Sequence, residues 1–220
     1  MRRDKRGGPA LILIDIQKGF ADVGYWGGQR NNPDAEFRAS ELLAVWRENG
    51  FPIFHVQHCS AIPASPLHES KSGNQFHNLV IPAAGETIIK KRVNSAFIGT
   101  DLKAHLDKAE ITTLVIAGLT TDHCISTTTR MAGNLGYETY VVAAATATFD
   151  KKGIQGQIFP AELIHQTALA SLDKEFATII TTDVIKQTTV FNPAQKIRMF
   201  NRAKRNSFRF QNDKLFHRHT

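Results

Sequence analysis

The chain has 220 residues, 42% hydrophobic and 21% charged, values suited to a globular protein with a buried core. Its net charge of +7 suggests nucleic-acid binding until it is located: residues 191–220 hold eight Lys or Arg against one acid, Asp213, and carry all of it. The first 190 residues are neutral, which excludes a basic body built around a polyanion and divides the chain into a domain of 1–190 and a basic tail of 191–220.

Residues 10–16 (ALILIDI) form a continuous apolar run, the pattern of a strand buried on both faces. Pro33-Asp34 opens a helical pattern carrying Leu42, Leu43, Val45 and Trp46, which Gly50 stops. Residues 52–56 read as a second strand. Residues 58–86 carry Pro, Ser, Gly and Asn with little periodicity and read as a long loop of the kind that often bears function. Residues 87–90 give a third strand, and Thr100 is placed to cap a helix holding Leu102, His105 and Leu106.

The next strand covers 113–118, followed by a turn and a helix from about Cys124 to Leu135. Residues 139–143 supply another strand. Pro160 stands at the start of a helix whose apolar stripe is Leu163, Leu169, Leu172 and Phe176, and 177–181 is a final strand. Strands separated by helices predict an α/β three-layer sandwich, doubly wound about a mostly parallel sheet. In such sheets ligands sit outside the carboxyl ends of the strands. No strand is followed by a glycine-rich phosphate loop.

Three residues at strand ends carry chemistry. Asp15 interrupts an apolar run and needs a partner, because an isolated buried charge is very costly. Lys91 and Lys90 fall on opposite sides of their strand, so one faces the cleft and the other water. Cys124 follows a strand and a turn and begins a helix, where free N–H groups favour a thiolate and receive an oxyanion. Converging, these groups suit nucleophilic attack on a carbonyl: Asp15 accepts a proton, Cys124 attacks and Lys91 supplies charge.

The segments LILIDIQKGF, KRVNSAFIGTDL, LVIAGLTTDHCISTTTRMAGNLGY and HQTALASLDKEFATIITT resemble the successive motifs of the isochorismatase-like hydrolases, over roughly residues 10–183. That superfamily includes nicotinamidases, ureidoacrylate-type amidohydrolases and streptothricin-type hydrolases. The resemblance implies Asp15 as general base, Lys91 as the catalytic lysine and Cys124 as nucleophile. It also implies a non-proline cis peptide between Leu119 and Thr120, with the N–H groups of Thr120 and Cys124 as oxyanion hole. The expected reaction is cleavage of a small-molecule amide through a thioester, with no metal and no organic cofactor.

Nicotinamidases of this family bind a metal through an Asp and several His after the second strand. Here that segment is HVQHCS: the Asp is absent, and His55 and His58 point to opposite faces of a strand. True isochorismatases lack the nucleophilic cysteine, so Cys124 favours an amide. Gln17, Phe20, Tyr25, Trp26, Asn94 and Phe149 lie in loops expected to surround the cleft, a set suited to a small planar substrate. His123 reads as an exposed neighbour, His165 as structural and Cys59 as incidental.

The N-terminal segment MRRDKRGGPA lacks a secretory pattern, no apolar run reaches bilayer length, and two cysteines make no disulfide framework. A cytoplasmic protein without a membrane partner is expected, and the resemblance implies a homo-oligomer. The basic, aromatic tail is compatible with RNA, an acidic membrane surface, a disordered appendage or a docked helix, but no fold-level reader module accompanies it, which argues against nucleic acid. Two alternatives stand beside the amidase: a hydrolase of another bond such as an ester, and a non-catalytic scaffold working through its tail.

Overall fold

In the computed structural model the described residues are 8–180. Six strands form one sheet: β1 (Ala10–Ile14), β2 (Ile53–His58), β3 (Thr87–Lys91), β4 (Thr113–Leu119), β5 (Glu138–Ala147) and, last in the chain, Thr178–Ile180. The order is β3-β2-β1-β4-β5 with Thr178–Ile180 at the edge, and every pairing is parallel. Two short strands, β6 (Lys151–Lys152) and β7 (Ile158–Phe159), make a separate antiparallel pair, so the edge strand is β8. The α/β three-layer expectation holds.

Five helices accompany the sheet: α1 (Val23–Trp26), α2 (Ala35–Asn49), α3 (Leu102–Lys108), α4 (Ser126–Asn134) and α5 (Ala161–Leu172). Helix α2 ends where Gly50 adopts the left-handed conformation and its N–H satisfies carbonyls of the last turn. The buried residues Ala39, Leu42, Leu43 and Trp46 of α2 face β1, β2, β4 and β5. On the opposite face Ile12, Ile14, Phe54, Val56, Leu114 and Ile116 form a core with Leu102 and Leu106 of α3, Ala132 of α4 and Leu169 of α5. Alternation along buried strands sends successive side chains into these two layers.

Some boundaries differ from the sequence expectation. Thr100 accepts from the N–H of Leu102 at 3.4 Å, but Asp101 is the residue that flanks α3. The predicted helix from Cys124 is divided: Thr121–Ile125 form a wide π-helical turn, and α4 begins at Ser126. In α5 Leu163 is exposed and Phe176 lies past the helix end; the inward positions are Ala161, His165, Leu169 and Leu172. His165 is admitted there because its Nδ1 pairs with Thr121 Oγ1 at 2.9 Å. The boundary at 190 and the tail of 191–220 lie outside the described residues.

The order of strand addition reverses between β1 and β4, since β2 and β3 build outward on one side of β1, and β4, β5 and β8 on the other. A crevice at the carboxyl ends of these two central strands is the consequence. Gly118 permits their close approach: with φ +131°, a Cβ there would stand 1.9 Å from the carbonyl oxygen of Ile14.

Candidate active site

The sheet register brings the site together. β1 runs out at Ile14, and Asp15 follows in a left-handed conformation (φ +53°) that Asp tolerates better than most residues. Its N–H donates to the carbonyl of Val56 on β2 at 2.9 Å, fixing the carboxylate at the strand ends. On β3 Ile89 and Lys91 are buried while Ile88 and Lys90 are exposed, so the observed phase of the alternation selects Lys91 for the crevice. Cys124 enters from the π-helical turn after β4, with 8% of its surface exposed.

Lys91 Nζ donates to Asp15 Oδ2 at 2.6 Å and to Cys124 Sγ at 3.3 Å, and lies 3.2 Å from His58 Nδ1. The other oxygen of the carboxylate, Asp15 Oδ1, is buried without a hydrogen-bond partner among the described residues. Burial by itself disfavours the Lys91 ammonium, yet the charges of Asp15 and Cys124 outweigh it and hold Lys91 above the usual lysine range. Burial pushes the Cys124 thiol well up, Asp15 adds to this, and Lys91 opposes both. Desolvation and the neighbouring carboxylate thus work against the thiolate that a helix start alone would favour, and the Lys91 ammonium works for it.

A cavity of about 200 Å³ opens above these groups. Asp15, His58, Cys124 and Thr120 form its polar floor, and Phe20, Tyr25, Trp26, Ile62 and Leu67 supply apolar wall. Phe20 and Trp26 stack with centroids 4.6 Å apart, and Phe149 backs both at 6.2 Å. The peptide bond between Leu119 and Thr120 is cis.

The isochorismatase domain model matches residues 9–184. The chain belongs to the isochorismatase family. It is 48% identical over 174 residues to the isochorismatase family protein YrdC of Bacillus subtilis, covering 79% of this chain and 92% of that protein. It is 30% identical over 148 residues to a maleamate amidohydrolase of Pseudomonas putida, covering 61% of this chain and 70% of that protein. A crystal structure of an isochorismatase-family protein from Chromobacterium violaceum superposes with a TM-score of 0.77 at 38% identity, covering 84% of this chain and 94% of that one.

Within this family frame the structure distributes the sequence candidates unevenly. Asp15, Lys91 and Cys124 meet, and Phe20, Tyr25, Trp26 and Asn94 line the cavity. Asn94 Oδ1 lies 3.8 Å from Cys124 Sγ. Gln17 and Phe149 are not among the lining residues. Gln17 is 2% exposed and its amide is spent on backbone, donating to His58 O and Asn74 O and accepting from His58 N. His123, exposed beside Asp122, also lines the cavity, and Cys59 is buried next to Asn74.

The metal question turns on His55 and His58. His55 points away and binds Glu86 at 2.8 Å, so the two histidines do not converge. A carboxylate oxygen of Asp15, a ring nitrogen of His58 and the sulfur of Cys124 do lie within 4.8 Å of one another, a spacing that suits a cation. The ammonium of Lys91 already bonds to all three residues. The donor set is thus matched to a resident lysine and does not fit a metal beside it. His58 is the residue that sequence reasoning weighed only as a metal ligand and did not place in the site. Its signal was its place at the end of β2, where register sets it beside Lys91.

Proposed function

We propose that this protein is a cysteine hydrolase that cleaves the C–N bond of a small-molecule amide through a thioester on Cys124. The observation that carries this reading is the division of labour at Asp15: Oδ2 is held by Lys91, while Oδ1 is buried, has no hydrogen-bond partner among the described residues and is placed to take a proton. A carboxylate oxygen of Asp15 lies within 4.8 Å of Cys124 Sγ, which makes the cysteine proton the one for Asp15 to take.

In the proposed sequence Asp15 takes the Cys124 proton as the sulfur attacks the amide carbonyl carbon. The N–H groups of Thr120 and Cys124 receive the developing oxyanion. The tetrahedral adduct collapses as Asp15 returns the proton to the departing nitrogen, releasing ammonia or an amine and leaving the acyl group on sulfur. Asp15 then deprotonates a water that attacks the thioester, and the released thiolate recovers the proton. Lys91 remains charged throughout, offsetting first the carboxylate and then the sulfur. The likeness to an amidohydrolase supports an amide over an ester.

Ammonia release from a panel of small primary amides, paired with intact-mass detection of an acyl group on Cys124, tests this. Turnover that survives Cys124→Ala would remove the mechanism. A fully inert protein with a folded site would favour the scaffold reading.

A further inference from the structure

The mechanism leaves one side chain at the centre of the site without a role. His58 touches Lys91 and lines the cavity, yet neither proton transfer nor attack uses it. A lysine ammonium carries three N–H groups, and a buried one leaves none unpaired without cost. Asp15 Oδ2 and Cys124 Sγ accept two; His58 Nδ1, 3.2 Å from Nζ, is placed to accept the third. We infer that His58 is a positioning residue of the active site, the neutral acceptor that holds the Lys91 ammonium between Asp15 and Cys124. This rests on the cysteine-hydrolase reading above.

Three observations place His58 in that role. First, β2 and β3 are in parallel register with His58 opposite Lys91, so the two side chains emerge together on the crevice side. Second, the backbone of His58 is clamped: Gln17 Oε1 accepts from its N–H at 2.9 Å, and its carbonyl accepts from Gln17 Nε2 at 3.1 Å and Asn74 Nδ2 at 2.9 Å. A buried glutamine and a buried asparagine thus fix the segment that carries the ring. Third, burial and then the Lys91 charge push the imidazole below its usual range, which keeps it neutral and able to accept.

Neutrality matters to the balance of the site. An anionic third acceptor would neutralise Lys91 twice and raise the cost of forming a second negative charge on sulfur. An imidazole satisfies the N–H without adding charge, so the ammonium stays available to Asp15 and Cys124. With Nδ1 accepting, the ring proton sits on Nε2. The floor of the cavity then gains one neutral donor.

The test compares His58→Ala, His58→Asn and His58→Gln in the full chain, reading the alkylation rate of Cys124 by iodoacetamide at fixed neutral pH with peptide mapping. Cys59 serves as internal reference and thermal melting reports the fold. An asparagine carries its oxygen near the position of Nδ1, whereas a glutamine reaches toward Nε2. Loss of the acceptor in His58→Ala should slow Cys124 labelling about tenfold. His58→Asn should recover to within about threefold of wild type, and His58→Gln should not. Wild-type labelling in a folded His58→Ala protein overturns the inference, as does rescue by Gln and not by Asn. Should the alanine variant fail to fold, the Asn and Gln pair decides alone. A wild-type Cys124 no more reactive than Cys59 sinks the hydrolase reading and this one with it, whereas a reactive Cys124 indifferent to position 58 removes His58 only.

Discussion

Lys91 Nζ stands 2.6 Å from Asp15 Oδ2, with both side chains no more than 1% exposed. The two residues end strands that flank β2 and lie 76 positions apart in sequence, so this ion pair closes the site across the sheet. A buried pair contributes little net stability over an apolar substitute, but half of one is a liability. Asp15 and Lys91 therefore tie the integrity of the crevice to its chemistry.

Removing one partner should cost about 3–5 kcal/mol, because the other charge is left buried and alone. Asp15→Asn and Lys91→Met are each expected to show that loss in urea denaturation. The double variant should be more stable than the two losses added together predict. Strict additivity would mean the two groups do not depend on each other.

Cys124→Ala removes a sulfur from the cavity floor without touching the ion pair. Turnover of any amide substrate should fall by at least about 10³-fold, the order seen when a nucleophile is deleted. Stability should change by less than about 2 kcal/mol. Steady-state ammonia release and thermal melting, measured on one preparation, separate these effects.

The cavity predicts a preference among amides. Lys91, the cation beneath it, is already paired with Asp15, and much of its wall is aromatic or aliphatic. An uncharged amide such as benzamide or crotonamide should exceed maleamate in kcat/KM by about tenfold or more, since among the described residues the Lys91 ammonium is held by Asp15 and the lining His123 by Asp122, which leaves little charge to repay the desolvation of a carboxylate. Equal or better turnover of maleamate would show that a cation reaches the substrate from elsewhere.

Acid stability has a separate origin at the opposite end of the sheet. Glu86 is bonded to Arg47 at 2.7 Å and to His55 at 2.8 Å. Hydrogen bonding from Arg47, working against burial, lowers its carboxyl from 4.5 to about 2. A depressed folded-state value gives stability that is fully present above the unfolded value and is lost as pH falls from about 4.5 through about 2. The pair should thus contribute about 2–3 kcal/mol at neutral pH. Glu86→Gln should be less stable than wild type at pH 7, and the difference should close toward pH 2. Parallel denaturation midpoints across that range would refute this account.

The sequence by itself determined the alternation of strands and helices, because continuous apolar runs such as ALILI and the stop at Gly50 are local signals. It also singled out Asp15 and Cys124, a carboxylate inside an apolar run and a cysteine opening a helix after a strand and turn, while Lys91 was chosen over Lys90 by the resemblance of the motifs. What it left open depended on distance in space. Gln17 looked like a loop residue facing substrate, and only the packing of residues 58–74 against it showed its amide consumed by backbone. The surroundings of Cys124 add influences that the local sequence does not carry, because a turn supplies donors in sequence but burial, Asp15 and Lys91 act through the folded structure. The only signal of His58 was its place at the end of the second strand; one histidine among nine, it acquires meaning when the β2–β3 register sets it against the ammonium of Lys91. Strand periodicity is written in neighbouring residues, whereas register and desolvation are properties of segments that meet only after the chain has folded.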